Sequence, residues 1–396
     1  MLADRISTYT RSLDQAVAAA VEQAAARVPA LAARLAAAGI ETVTRVADLD
    51  ELPILTKDDL LAAQRADPPF GGAVAPGAAL RKIFASPGPL YEPQLPGADP
   101  WRWGAALRAA GIGGQDVVLN CFSYHLSPAG AMFEEAALAL GATVIPAGVG
   151  NQDLQVQVAV AAGATAYTGL PSYLRALLDR AAELGLPFPV RRALVTAEPL
   201  PDSLRAGLLS HLETVHQAYG TAETGLLGYE TAPGSGLALP DGVLVQVCDP
   251  GTGRPNQDGS IGQIVVTLLR PEQPLVRFGT GDLSAWTLGP DGSLRLAGVL
   301  GRIGEAVKVR GMFLHPRQAT EALADEPGVA AYRFVIDRVQ HRDRLHCEIV
   351  PAPDADEYLP DRVRDAIRSR LRLSAEVRCV PALGDGPLFD DRRDWS

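Results

Sequence analysis

Residues 116–146, DVVLNCFSYHLSPAGAMFEEAALALGATVIP, decide the fold class. The stretch opens with a short apolar run at 117–119, continues through residues 129–140, which are rich in helix-forming alanine, and closes with a second run at 141–146. A strand, a helix and a strand in this order predict a parallel sheet with helical crossovers. Residues 193–196, Ala-Leu-Val-Thr, continue the alternation.

The flanking segments predict further elements around this sheet. Residues 5–38 are rich in Ala, Leu, Glu and Arg, which indicates helices that Pro29 interrupts. Thr56, with acidic residues soon after it, is a suitable N-cap for a short helix. Residues 242–267 change to short β segments separated by Gly, Pro and Asp turns. A small α+β unit follows from residues 301–311 onward.

Composition excludes several classes of partner. The chain has 396 residues, a formal net charge of -10 and no basic block, so we expect neither nucleic acid nor a membrane surface as a partner. Its four cysteines form no Cys-x-x-Cys pair, which favours reduced thiols. We read no leader peptide and no apolar stretch of spanning length, and expect a cytoplasmic protein.

Short blocks along most of the chain have the order and spacing of one known family. They are LP at 52–53 with TKDDL at 56–60, LGATVIP at 140–146, LPSYL at 170–174, AEP at 197–199, YGTAE at 219–223, TGDL at 280–283, GR at 301–302 and VRG at 309–311. Through these blocks the chain resembles the phenylacetate-CoA ligase family of adenylate-forming enzymes.

The resemblance implies an α/β fold in two parts. A large domain would cover residues 1–300, with parallel sheets, helices and a β-rich part at about 240–300. A small α+β lid would cover residues 301–396, with a hinge at about 301–305. Residues 154–160 alternate as a strand does, but the resemblance implies a helix there, and we expect the helix.

The family reaction would join an acid to CoA in two steps. Acid and ATP form an acyl-adenylate, and the CoA thiol then displaces AMP. The resemblance implies a nucleotide site made by Tyr219 against adenine, Thr221 toward the α-phosphate, Asp282 on the ribose hydroxyls, Glu223 on magnesium, and Gly220 and Arg302 beside them. The alternatives are a tight turn with a packed tyrosine and a turn-capping aspartate.

The phosphate-binding loop departs from the family. Residues 85–93 read ASPGPLYEP, where the family has roughly Ala-Ser-Ser-Gly-Thr-Thr-Gly-Lys-Pro. Ser86 and Gly88 are kept, but the two new prolines lack an N–H, Tyr91 adds bulk, and Glu92 replaces the lysine. A carboxylate repels polyphosphate, so we expect weak triphosphate binding and favour an inert surface turn over a new ligand site.

The C-terminal part departs as well. The family's terminal catalytic lysine has no counterpart, because the last lysine here is Lys308; Arg392 or Arg393 are the available stand-ins. The hinge aspartate falls on Gly304. By contrast, Arg310 and Gly311, which the resemblance places at the active site during thioester formation, are retained.

The acyl pocket is implied at Tyr124, Ala197 and Glu198. His125 stands where the family has a small residue, and it is our candidate general base toward a thiol; the alternative is a histidine that fills volume and bonds to backbone. Cys121 is expected to be buried and inert.

Three functions remain open on sequence alone. The erosion of the adenylation residues favours transfer of an acyl group without ATP, from a CoA or carrier thioester to a thiol or amine. The resemblance implies an aromatic acyl group, of the arylacetate or benzoate type. The second is an ATP-dependent aryl- or acyl-CoA ligase of reduced efficiency, using CoA and ATP or AMP with Mg. The third is a non-catalytic acyl- or nucleotide-binding partner. A small acyl substrate is expected; an acyl-carrier protein and a homodimer are open, and the sequence does not specify the acyl group.

Overall fold

The computed structural model describes residues 1–86, 90–303, 307–310, 312–314, 316–324, 326–340 and 342–393. The chain divides into two compact units, Met1–Gly301 and Arg302–Ser396. That the second unit acts as a lid stays a prediction. In the described ranges, no helix combines the length and the apolar character that crossing a membrane requires.

Helices of the first unit confirm the expectations made for its N-terminal segments. Pro29 starts a helix rather than ending one, because its fixed φ and missing N–H suit the first helical position. The helices are α1 (Leu2–Ser12), α2 (Asp14–Ala25), α3 (Pro29–Ala37), α4 (Lys57–Ala66), α5 (Gly104–Ala109), α6 (Ala129–Ala139), α7 (Gln152–Ala162), α8 (Pro171–Glu183) and α9 (Asp202–Leu209), with a 3-10 turn at Val46–Leu49. The helix expected around residues 154–160 is therefore confirmed as α7.

Strands of the first unit build a hairpin, a large mixed sheet and a β-rich part. Their bounds are β1 (Lys82–Ala85), β2 (Tyr91–Gln94), β3 (Val117–Asn120), β4 (Thr143–Ile145), β5 (Ala166–Gly169), β6 (Arg192–Val195), β7 (Thr214–Thr221), β8 (Gly225–Tyr229), β9 (Leu237–Ala238), β10 (Val243–Cys248), β11 (Gly262–Leu268), β12 (Phe278–Ser284), β13 (Trp286–Leu288) and β14 (Leu294–Leu296); β15 (Gly301–Arg302) lies at the boundary of the units.

The large sheet joins nine described strands in the order β13-β14-β9-β8-β7-β6-β5-β3-β4. From β4 to β7 every pairing is parallel, as the strand–helix–strand pattern predicts, and from β7 onward the pairings are antiparallel. Parallel strands are covered on both faces, and their core residues are accordingly almost fully buried. The predicted α/β class is confirmed.

The β-rich part pairs β10, β11 and β12 as antiparallel neighbours. Every residue of β10 and β11 is buried, because the N-terminal helices and the large sheet pack around them.

The hairpin of β1 and β2 shows that residues flanking the predicted inert surface turn are buried. β2 pairs antiparallel with β1, with Glu92 opposite Phe84. Ser86, Leu90 and Glu92 are all buried. Pro87, Gly88 and Pro89 lie outside the described residues, but the flanks of this loop are part of the protein interior.

The second unit is the α+β structure that the sequence predicts. Its sheet has the order β20-β19-β18-β21, beside a short hairpin of β16 and β17. The elements are β16 (Val307–Val309), β17 (Met312–Leu314), α10 (Pro316–Leu323), β18 (Val329–Val339), β19 (Arg342–Pro351), α11 (Leu359–Ala366) with a π turn at Ile367–Leu371, β20 (Glu376–Cys379) and β21 (Phe389–Asp391). Phe334, Ile336 and Cys347 lie at the centre of its own core.

Candidate functional site

The site lies at the carboxyl ends of the parallel strands, where open α/β sheets bind their ligands. Asn120 at the end of β3 organises this edge. Its side-chain amide donates to the Tyr124 hydroxyl at 2.8 Å and to the Gly130 carbonyl at 2.8 Å, and its oxygen accepts from the Thr168 hydroxyl at 3.0 Å. Asn120 is fully buried, so these bonds fix the loop that follows β3.

Tyr219 and Asp282 meet although 63 positions separate them in the sequence. The Tyr219 hydroxyl, at the end of β7, donates to a carboxylate oxygen of Asp282 in β12 at 2.8 Å. Both side chains are buried. The two residues expected to hold adenine and ribose are thus neighbours, which a merely turn-capping Asp282 does not require. Their nucleotide roles stay a prediction.

The turn from β7 to β8 carries Thr221 and Glu223. The Thr221 hydroxyl lies 2.9 Å from that of Thr224 and accepts from the Thr224 amide at 3.3 Å. Burial alone raises the pKa of Glu223, but the Lys57 ammonium outweighs it and the pKa ends below its usual value. The Lys57 nitrogen is 2.5 Å from the Glu223 carboxylate, and the lysine is 28% exposed against 4% for the glutamate side chain.

Glu92 lies beside this turn, and its charge state differs from the sequence expectation. Burial and the neighbouring charge of Glu223 raise the pKa of Glu92 well above the ordinary glutamate value. The Ser86 hydroxyl offsets only part of this rise, and its geometry directs it at the Leu90 carbonyl, 3.4 Å away. The carboxyl group is therefore biased toward its neutral form, which does not repel phosphate as the sequence suggested.

Glu92 and Glu223 line one small cavity, together with Leu60, Gln64, Phe70, Ala73, Val74, Tyr91, Pro93, Gln273 and Leu275. Both carboxylate oxygens of Glu92 are buried and accept no hydrogen bond of good geometry from the described residues. Within those residues no group of three or more His, Cys, Asp or Glu side chains gathers as a metal site. Two carboxylates still suit Mg²⁺, which proteins commonly hold through one or two carboxylates plus water and substrate phosphates.

Arg102, Trp101 and Gly225 support the turn, and no motif in the sequence predicted this role. The Arg102 guanidinium donates to the carbonyls of Thr224 and, at 3.3 Å, Leu226. Burial, reinforced by the charge of Arg270, lowers the pKa of Arg102 to about 9. Gly225 has φ +73°, and a Cβ there would lie 2.6 Å from the Trp101 carbonyl oxygen. Only glycine fits this approach.

The roles of the predicted acyl-pocket residues stay a prediction, but the structure describes the surroundings of Tyr124. Tyr124 packs against Gly130, where an added Cβ would come within 2.8 Å of its ring. Burial and the nearby Glu134 raise the pKa of the Tyr124 phenol, so it stays a neutral hydroxyl. Cys121 is buried as expected, and burial raises the pKa of its thiol. Cys121 is thus no nucleophile at neutral pH.

His125 does not have the setting expected of either interpretation. Its side chain is exposed, and among the described residues none forms a hydrogen bond or ion pair with it. The volume-filling alternative is wrong because the ring is not buried. The general-base assignment stays a prediction, without a neighbouring group that orients the ring.

Ala197 and Glu198 follow β6 at the same edge of the sheet. Ala197 has φ +70°, uncommon for a residue with a side chain. The Ser172 hydroxyl, in the first turn of α8, donates to Glu198 at 2.5 Å. The strained Ala197 and this bond fix where the backbone after β6 points.

In the second unit, Arg310 and the two candidate substitutes for the terminal lysine bond to neighbouring residues of the same unit. Arg310 donates to the Asp343 carbonyl at 2.9 Å and the Ser374 carbonyl at 3.2 Å. Arg393 is buried and pairs with Asp343 at 3.0 Å and Asp391 at 2.6 Å, and Arg392 pairs with Asp390 at 2.6 Å. The proposed stand-ins for the lysine therefore have other partners. Arg302 is partly buried, whereas Gly304 and Gly311 lie outside the described residues.

Comparison with known proteins gives similarity to one enzyme family over part of the chain. The AMP-binding enzyme family matches residues 101–267, the segment that carries the sheet edge and the turn after β7. Over this segment the chain is similar to AMP-binding enzymes. It is 27% identical over 388 residues to a phenylacetate-coenzyme A ligase of Aromatoleum evansii, covering 88% of this chain and 86% of that protein. It is 25% identical to the phenylacetate-coenzyme A ligase of Escherichia coli K12, covering 89% and 81%.

Solved structures show the same fold. A 2-hydroxyisobutyryl-CoA ligase in complex with 2-HIB-AMP and CoA matches with a TM-score of 0.88 at 24% identity, covering 98% of this chain and 90% of that one. The amide bond synthetase McbA from Marinactinospora thermotolerans matches with a TM-score of 0.59 at 19% identity, covering 78% and 66%. These two likenesses show the fold, and the sequence similarity to the phenylacetate-coenzyme A ligases makes the chain acyl-CoA ligase-like. The comparisons give no support to ATP-free acyl transfer.

Proposed function

We propose that this protein is an ATP-dependent acid–CoA ligase. An acid carboxylate attacks the α-phosphorus of ATP, forming the acyl-adenylate and releasing pyrophosphate; the CoA thiol then attacks the acyl carbonyl and releases AMP. This is the alternative of our sequence interpretation, and it replaces ATP-free transfer as the leading hypothesis.

The contact of Tyr219 with Asp282 carries the proposal. A buried aromatic ring bonded to a carboxylate offers a flat surface for a purine and an acceptor for ribose hydroxyls. Thr221 and the pair of Glu223 with Lys57 follow on the next turn, where phosphates would lie. When bound, Mg²⁺ would supply charge neutralisation at Glu223.

The departures at Glu92 and the C-terminus are compatible with slow adenylation. A neutral, buried Glu92 does not oppose phosphate, and Lys57 is a partly exposed cation beside the nucleotide turn. The lysine absent after Lys308 has no evident replacement in Arg392 or Arg393, since both are paired. We therefore expect adenylation to limit the rate.

The similarity to phenylacetate-coenzyme A ligases makes arylacetic and benzoic acids the first substrates to test. The test is acid-dependent exchange of labelled pyrophosphate into ATP, with each acid alone and with CoA. Exchange that requires an acid supports the proposal. Acyl transfer from an acyl-CoA without ATP, with no exchange for any acid, would overturn it.

A further inference from the structure

Glu92 is a buried carboxyl group that accepts no hydrogen bond of good geometry from the described residues. It is 5% exposed and lies in β2. Burying a polar group in this way costs free energy unless something satisfies it. The apolar neighbours in the cavity, including Leu60 and Leu275, offer no such group.

The polar residues around the cavity restrict which kind of ligand could satisfy the Glu92 carboxyl group. Gln64 is occupied: its side chain bonds to the Tyr91 amide and carbonyl, both at 2.8 Å. Glu223 lines the same cavity and raises rather than lowers the cost of a charge on Glu92. Lys57 is held at Glu223, 2.5 Å away. The Lys57 ammonium pairs with Glu223, and both Glu92 oxygens lack a donor of good geometry, so a hard cation with oxygen ligands that displaces the Glu92 proton would satisfy this carboxyl group.

We propose that Glu92 and Glu223 together bind one divalent cation, Mg²⁺ or Mn²⁺. The cation lies at the hairpin where related enzymes carry the loop lysine, and it restores the positive charge that Glu92 removed. Glu223 alone is the expected magnesium residue of the family; Glu92 is a second carboxylate particular to this chain. The proposal rests on the proposed function for the role of the cation, but not for its binding.

Manganese binding to the full chain without nucleotide tests the site. Mn²⁺ is titrated and the free ion is measured by electron paramagnetic resonance, with wild type, Glu92→Gln, Glu223→Gln and the exposed control Glu213→Gln. We expect one site in wild type and in the control. Each of the two cavity variants should bind at least about tenfold more weakly, since each removes a charged ligand.

A thermal-shift measurement guards against misfolding. Glu92→Gln keeps the shape of the side chain and should melt no lower than wild type, but Mn²⁺ should raise its melting temperature less than that of wild type. Mn²⁺ binding by Glu92→Gln equal to wild type, or no binding by wild type, would overturn the proposal and leave Glu92 a protonated buried acid.

Pyrophosphate exchange on the same samples separates the two claims. If wild type catalyses pyrophosphate exchange but Glu92→Gln binds Mn²⁺ as tightly as wild type, the proposed cation site is wrong and the proposed ligase function stands. If Mn²⁺ binding depends on Glu92 but no acid supports pyrophosphate exchange, the cation site stands and the ligase function is wrong.

Discussion

At the scale of single residues, Asp282 is the group on which nucleotide binding should depend most. Its buried carboxylate already accepts the Tyr219 hydroxyl at 2.8 Å and can accept from a ribose as well. We expect Asp282→Asn to weaken AMP binding by roughly ten- to a hundredfold, because a charged acceptor is lost. Calorimetry with AMP measures this, with the exposed Asp241→Asn as control. Unchanged AMP affinity in Asp282→Asn would remove Asp282 from the site.

His125, unlike Asp282, is a residue whose replacement we expect to have little effect. The ring is exposed and has no described partner, so neither the fold nor adenylation depends on it. We expect His125→Ala to change ligase turnover by no more than about twofold and to leave the melting temperature unchanged. Turnover and thermal denaturation are the two readouts. A loss of about a hundredfold, the scale of a general base, would restore the catalytic role that the sequence suggested.

At the scale of elements, the start of α4 positions Lys57. Thr56 caps the helix: its hydroxyl accepts from the Asp59 amide at 3.1 Å and donates to the Asp59 carboxylate at 2.6 Å. Replacing Thr56 with alanine should cost about 1 kcal/mol. Thermal denaturation should show a drop of about 2 °C. Ser7→Ala, an exposed helical change, is the control; an equal drop in both variants would show that the cap adds nothing.

The turn between β7 and β8 is the second element with a sharp prediction. An alanine at Gly225 adds a clash with the Trp101 carbonyl to the strain of φ +73°. Gly185 has φ +66° and open space around a Cβ, so Gly185→Ala isolates the strain alone. We expect Gly185→Ala to cost about 1 kcal/mol and Gly225→Ala clearly more. Urea denaturation measures both, and equal free energies of unfolding would contradict the close approach.

At the scale of the whole molecule, local sequence patterns predicted the architecture but not the contacts between residues far apart in the chain. The apolar runs at 117–119 and 141–146 identify β3 and β4, because short runs of apolar and β-branched residues favour strands. The burial of Glu92 depends on residues distant in the sequence. Its position after a proline-rich segment is typical of a surface loop, but in the folded chain it lines a cavity together with Glu223. The ion pair of Lys57 with Glu223 was likewise not predicted from the sequence, although both residues lie in blocks that resemble the ligase family.

The central claim is that the protein activates a carboxylic acid by transferring AMP to it. The most direct measurement uses acids labelled with oxygen-18 in the carboxylate, incubated with ATP, Mg²⁺ and CoA, and mass spectrometry of the AMP formed. Attack of the carboxylate on the α-phosphorus, followed by thiolysis, leaves one acid oxygen on AMP. We predict AMP carrying one oxygen-18 atom, in equal amount to the thioester. Thioester formation with unlabelled AMP, or acyl transfer from an acyl-CoA in the absence of ATP, would contradict the account.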